Sequence, residues 1–167
     1  MSLTTHLIPE LKSELKATRT TLERVPDGHS DFKCHDKSTP LGKLAAHVAQ
    51  LPSFGSTILT TSKFDFGTAG TKPLVFENLE QILAAFDKLA AQVESDLAAT
   101  PGAAFEETWS LSYKDHPIFS GTRFAAYRAM FLNHLIHHRA QLGVYLRLLD
   151  APVPATYGPS ADDRMGF

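Results

Sequence analysis

The chain has a single cysteine, Cys34, in 167 residues. One thiol excludes an intrachain disulfide framework, argues against a thiolate-rich zinc site and fits a reducing compartment. Long apolar runs are missing too. No stretch of about 18 apolar residues offers a bilayer span. The opening Met1-Ser2-Leu3-Thr4-Thr5-His6 lacks the charged region and long apolar run of a secretory signal. A soluble, cytoplasmic protein without a membrane partner is expected. Basic excess is also absent: 16 Lys and Arg stand against 18 Asp and Glu, for a net charge of -2. With no cationic face, counterion release has no source, and nucleic acid is not expected as a partner. Neither an internal repeat nor a low-complexity tract is present.

What remains is an ordinary globular composition, 43% hydrophobic and 20% charged. The length fits one domain, residues 1–167, which can bury roughly two-thirds of its unfolded surface and needs no staple merely to fold. The exception to this plainness is histidine, with eight in the chain.

Four segments carry a helical apolar period. The first runs from about Leu7 to Val25, with Pro9 placed in its first turn, where a missing N–H is harmless, and Pro26-Asp27-Gly28 as its stop. The second begins at Ser38-Thr39-Pro40, with Thr39 as N-cap and Pro40 at the first helical position. Pro52 kinks or interrupts it before Phe54 to Leu59. Gly67, Gly70 and Pro73 mark Thr60–Val75 as a long loop. The third helix, from about Asn78 to Ala98, has the clearest amphipathic pattern. Between it and the fourth, residues 103–121 are irregular or hold a short hairpin, since apolar and polar residues alternate from Trp109 to Tyr113. The fourth helix, about Thr122 to Leu149, is long and apolar, as a helix packed on more than one side would be. The expected fold class is all-α, a four-helix bundle.

The histidines are placed on these helices with a pattern. His134 and His138 are four residues apart, so their rings lie one turn apart on one face. At about 100° per residue they share a line with Phe124, Phe131, Leu142 and Leu149, while His137 points elsewhere. His47 sits at the margin of the second helix's apolar face, beside Leu44 and Leu51. If the two helices are neighbours, three imidazoles converge and leave an open position on a bound ion, as in a catalytic zinc-type site. Imidazole suits zinc, nickel, copper or iron. A hydrogen-bonded core histidine is the plain alternative for His47 alone; the 134/138 pair needs partners for two rings, and on spacing alone a metal and a mutually satisfied core pair weigh equally. The residue after His134 is Leu135 rather than the Glu of a zincin protease, and no Glu-x-x-His pair supports a di-iron bundle.

The run His134-Leu135-Ile136-His137-His138-Arg139-Ala140-Gln141-Leu142, then Tyr145-Leu146-Arg147, Pro152-Val153-Pro154 and Tyr157-Gly158-Pro159-Ser160, resembles the DinB family. With Leu44-Ala45-Ala46-His47, the likeness covers most of the chain. It implies a four-helix bundle of DinB-like type holding a metal through one His of the second helix and two of the fourth. Those roles fall on His47, His134 and His138. Ala140 stands where Gly is common. The resemblance further implies a bacterial cytoplasmic protein, often dimeric, in a family that includes thiol-dependent S-transferases and a maleylpyruvate isomerase.

Two functional classes follow. In the first the protein is a metal-dependent enzyme, with zinc or nickel as the expected divalent ion and a small-molecule substrate, a low-molecular-weight thiol in the S-transferase version. In the second it is a non-catalytic metal- or ligand-binding stress-response protein. Arg139 and Gln141 flank the ligands as partners that could orient an imidazole, with an interhelical role the alternative for Arg139. Trp109 and Tyr113 read as core or pocket lining, Tyr157 and Asp162–Asp163 as a docked tail, Cys34 as a thiol without function, and His116 as a residue near enough to reach a metal but not counted among its ligands.

Overall fold

Four apolar stripes become four helices in the computed structural model, which describes residues 3–114 and 116–164. Helix α1 spans Leu3–Leu22, α2 Leu41–Thr60 and α3 Leu79–Ala99, with strand β1 (Lys63–Asp65) between the last two. A 3-10 turn, Gly102–Glu106, leads into strands β2 (Thr108–Tyr113) and β3 (His116–Thr122). The final helix is continuous but composite: α4 (Arg123–Ala126), a π-helical stretch (Tyr127–Leu132) and α5 (Asn133–Leu148). The tail expected to run to Phe167 is described to residue 164; residues 165–167 lie outside the described residues. No described helix is long and apolar enough to cross a membrane.

The bundle is square. Helices α1 and α2 each pack on α3 and α5 and barely touch one another, so the link between them crosses the end of the bundle. Leu7, Leu11, Leu15 and Leu22 of α1 are buried, as are Ile82, Phe86, Val93 and Leu97 of α3. These are the residues that a period of 3.6 puts on one face. Helix α3 starts where the sequence signals it: Asn78 accepts a hydrogen bond from the Gln81 amide at 2.9 Å, and Asp27 Oδ1 accepts from the Leu79 amide at 2.9 Å. Two of the first-turn donors are thereby satisfied. Helix α2 runs through Pro52 without a break. At Gly55 it comes so close to the last helix that an added Cβ would lie 2.7 Å from the Phe131 ring.

Several expectations need correction. The fold is mostly helical but not strictly all-α, because the segment read as a long loop supplies β1. That strand pairs in parallel with β2, which pairs antiparallel with β3, giving the order β1-β2-β3. A three-residue strand pairing with a segment 47 positions further on leaves almost no local pattern to read. Helix α1 starts at Leu3, so Pro9 is beyond the first turn; Thr5 and Pro9 are both exposed, and solvent reaches the carbonyl that Pro9 cannot serve. Helix α2 has Pro40, not Thr39, at its N-cap, without a side-chain cap. The Thr39 carbonyl instead accepts from the Tyr145 hydroxyl at 2.7 Å.

One buried cation joins the parts. Arg123 is only 5% exposed. Its guanidinium donates to the carbonyls of Ile58 (2.5 Å), Leu59 (3.4 Å) and Thr61 at the end of α2, to Ala104 (3.1 Å) in the 3-10 turn, and to Glu107 Oε2 (2.9 Å). The last carbonyls of a helix have no intrahelical partner, and a cation there also meets the negative end of the helix dipole. Arg123→Ala leaves several buried acceptors unpaired and should cost about 2–4 kcal/mol in urea unfolding. Glu107→Gln, at an exposed carboxylate, should cost less than about 1 kcal/mol.

Candidate metal centre

The three histidines arrive from two neighbouring helices. His47 stands in the second turn of α2, and His134 and His138 stand in the first two turns of α5. The π stretch ends immediately before Asn133 and adds a residue to the turn, which resets the phase of the helix. Consequently the expected straight line of side chains holds only in part. Phe131 and Leu142 are fully buried, but Phe124 and Leu149 are half-buried, and Tyr127 takes the deep position upstream.

The rings converge. His134 Nε2 lies 2.8 Å from His138 Nε2 and 3.4 Å from His47 Nε2. Among the described residues these three form a group of potential donors whose ligand atoms all lie within 4.8 Å of one another. Zinc–imidazole bonds of about 2.0–2.1 Å in a tetrahedron separate neighbouring nitrogens by roughly 3.3 Å, so donors at these spacings suit one small ion.

The far side of each ring on α5 decides where its proton sits. His134 Nδ1 lies 3.3 Å from the Met130 carbonyl. A carbonyl only accepts, so Nδ1 carries the hydrogen and Nε2 presents a bare lone pair to the cluster. His138 Nδ1 lies 2.7 Å from Gln141 Oε1, which puts its proton on Nδ1 by the same logic. Two lone pairs then face one another at 2.8 Å, an arrangement that a cation between them relieves. Backbone carbonyls and side-chain amides commonly orient metal-binding histidines in this way.

Protonation is disfavoured at all three. His47 lies at the open mouth, yet burial of its inner end, reinforced by the neighbouring His138 and His134, lowers its pKa to about 4. His134 is lowered by burial and then by His138, with the Met130 carbonyl opposing. His138 is lowered chiefly by burial, with Gln141 opposing and His137 adding to the effect. Neutral imidazole is the metal-binding form.

Other residues sort themselves around this centre. Gln141 is where an orienting partner was expected. Arg139, its companion in that expectation, faces away and is 3% exposed. It pairs with the buried Glu14 at 2.7 Å, and the Tyr157 hydroxyl donates to the same carboxylate at 2.7 Å. The tail therefore docks on the opposite side from the histidines. Asp162 accepts from Arg147 and from the Val153 amide there. His137 and His116 are exposed and outside the donor group. Trp109 is core, with its indole N–H directed to Thr61 Oγ1 at 3.3 Å, whereas Tyr113 is 51% exposed and not core. Exposed Cys34 donates to Ser38 Oγ at 3.2 Å.

Beside the histidines lies a mainly apolar cavity of about 340 Å³, lined by His47, His134, Leu51, Phe54, Phe64 and Phe66 among others. Sequence reasoning missed these aromatic residues. Phe54 follows His47 by seven positions, two helical turns, which is a readable signal. Phe64 and Phe66 alternate with Lys63 and Asp65, a period of two that the nearby glycines obscured.

Two outcomes test this description. Replacing Gln141 with Leu should weaken zinc affinity by about 10–100-fold, while Gln141→Glu, which keeps an acceptor at Nδ1, should largely retain it in chelator competition. Because the pKa values are lowered, protons compete for the donors only at more acidic pH. Zinc affinity should therefore fall by well under tenfold between pH 7.5 and 6. Three imidazoles of ordinary pKa, about 6.5, would lose more than roughly tenfold over that interval.

The model of the DinB family matches residues 1–165. A search of curated proteins finds no match to the chain. Among solved structures, a DinB-like protein from Bacillus subtilis superposes with a TM-score of 0.68 at 14% identity, covering 96% of this chain and 99% of that one. A DinB-like protein from Bacillus cereus ATCC 10987 gives 0.66 at 17% identity, covering 89% and 94%. At these identities the likeness is one of fold.

Proposed function

The chain belongs to the DinB family, and from that premise we propose that it binds one divalent metal ion, zinc or nickel, through His47, His134 and His138 and acts as an enzyme on a small molecule. The observation that carries this reading is the inward lone pair of His134 Nε2, fixed by the Nδ1 bond to the Met130 carbonyl and surrounded by two further imidazole nitrogens. Three neutral protein ligands leave a coordination position for solvent or substrate, the pattern of catalytic rather than structural sites. An ion there would supply Lewis acidity, lowering the pKa of a bound water or thiol.

The protein's own contribution is positional. Gln141 and Met130 hold two imidazoles in the metal-binding tautomer, and the mainly apolar cavity flanks one side of the site. Among the described residues, those lining that cavity include no Asp or Glu that could act as a general base. Transfer of a low-molecular-weight thiol suits this arrangement, because a thiolate needs no further deprotonation to act as a nucleophile. The same missing carboxylate supports a second reading, a non-catalytic metal- or ligand-binding protein of stress response. A homodimer and a cytoplasmic location are family-level parts of the proposal.

Plasma mass spectrometry of untagged protein should find about one ion per chain. That ion should be lost in His47→Ala, His134→Ala and His138→Ala, with helical circular dichroism retained. Wild-type protein that neither carries nor takes up zinc or nickel would leave only histidines satisfying one another. With metal present, conjugation of a small thiol to an activated aryl halide separates the enzyme from the binding protein.

A further inference from the structure

The cavity beside the histidines has a chemical character of its own. Three phenylalanines wall it. Phe54 stacks on Phe66 with centroids 5.8 Å apart and planes at 23°, and Phe64 meets Phe66 edge to face at 5.2 Å. Phe54 and Phe64 are 5.8 Å apart at 71°. Their backbones come from different elements. Phe54 rides on α2, Phe64 lies in β1, and the Phe66 amide extends the β1–β2 ladder by donating to the Ser112 carbonyl at 3.0 Å. A further wall is the segment 71–73, tied across α2 by Gln50. That side chain donates to the Lys72 carbonyl at 2.9 Å and accepts from the Leu74 amide at 2.9 Å. Gln50 is one turn from His47, so the tie closes over the same face that carries the metal donor.

Phe66 is the telling residue. It remains 48% exposed although it belongs to the aromatic cluster. A large ring left half in water at the mouth of an apolar cavity has contact area available to an incoming flat group. The histidine end of the cavity is polar and the phenylalanine end is not. Three neutral imidazoles would leave the charge of a divalent ion uncompensated, and among the described residues the lining holds Lys72 but no carboxylate. The metal end therefore selects an anionic head, and the other end an apolar, planar body.

We propose that this cavity is a subsite for an aryl or similarly flat unsaturated body, gripped by Phe54, Phe64 and Phe66, on a ligand whose anionic head is directed to the histidines. The head rests on the metal reading of the preceding subsection. The aryl subsite rests on the rings alone, so the two are tested separately.

Cobalt(II)-loaded protein should bind 2-phenylethanethiol at least roughly tenfold more tightly than ethanethiol, followed by the thiolate charge-transfer absorbance; burying a phenyl group is worth that much. Phe66→Ala, at a half-exposed position that does not endanger the fold, should remove most of the preference and leave ethanethiol affinity within about twofold. Equal affinities in the wild type, or a preference that survives both Phe66→Ala and Phe54→Ala, would overturn the subsite. Independently of metal, saturation-transfer NMR on chelator-treated protein should show contact with 2-phenylethanol, lost in Phe66→Ala. No contact overturns the subsite even if cobalt binds. Contact without any cobalt spectrum supports the subsite and sinks the metal reading instead.

Discussion

The guanidinium of Arg123 is the constraint on which the rest of the structure depends. It reaches the terminal carbonyls of α2, the 3-10 turn and Glu107 at once. That single group fixes where α2 ends relative to where the last helix begins. The register between those helices sets His47 opposite His134 and His138, and Gly55 lets the helices approach closely enough for the rings to meet. Arg123 also anchors the entry to β2, against which β1 pairs, so it holds the strand that delivers Phe64. A burial this complete is tolerable only because nearly every donor on the guanidinium has an acceptor.

The last helix has two chemistries on two faces. His134, His138 and Gln141 face α2. Arg139, one residue beyond His138 and so about 100° around the helix, faces α1 and meets Glu14 in a buried ion pair capped by Tyr157. The tail lies over that pair, away from the three histidines. Placing the charged pair on the far side spares the imidazoles a cationic neighbour that would have competed with an ion for the same space.

How much of this was legible depended on the range of the interaction involved. The existence of four helices, the Asn78 start of α3 and the adjacency of His134 and His138 follow from local period and capping chemistry, whereas the start of α1, the N-cap of α2 and the phase of the last helix did not. The approach of His47 needed a correct guess about helix neighbours, which the bundle topology bears out. The candidate site was thus readable in its donors and in Gln141. It was not readable in its walls, because β1 exists only through pairing with β2, and Gly67 and Gly70 just beyond it masked its alternation. The π stretch left no local mark either. Arg123 was passed over for a physical reason: a cation at a helix start reads as solvated, and the α2 carbonyls that accept from it lie more than 60 positions away in sequence.

His47 and His134 are 87 positions apart. During synthesis the second helix leaves the ribosome long before the last one is made, so the donor set stays incomplete for most of the chain's elongation. His134 and His138 supply two nitrogens from one helix, and the third arrives only when that helix docks against α2. Under the proposed metal reading, stable ion capture would coincide with completion of the bundle. A nascent or truncated chain would offer such an ion at most a weak, two-point hold, so loading would mark the finished fold.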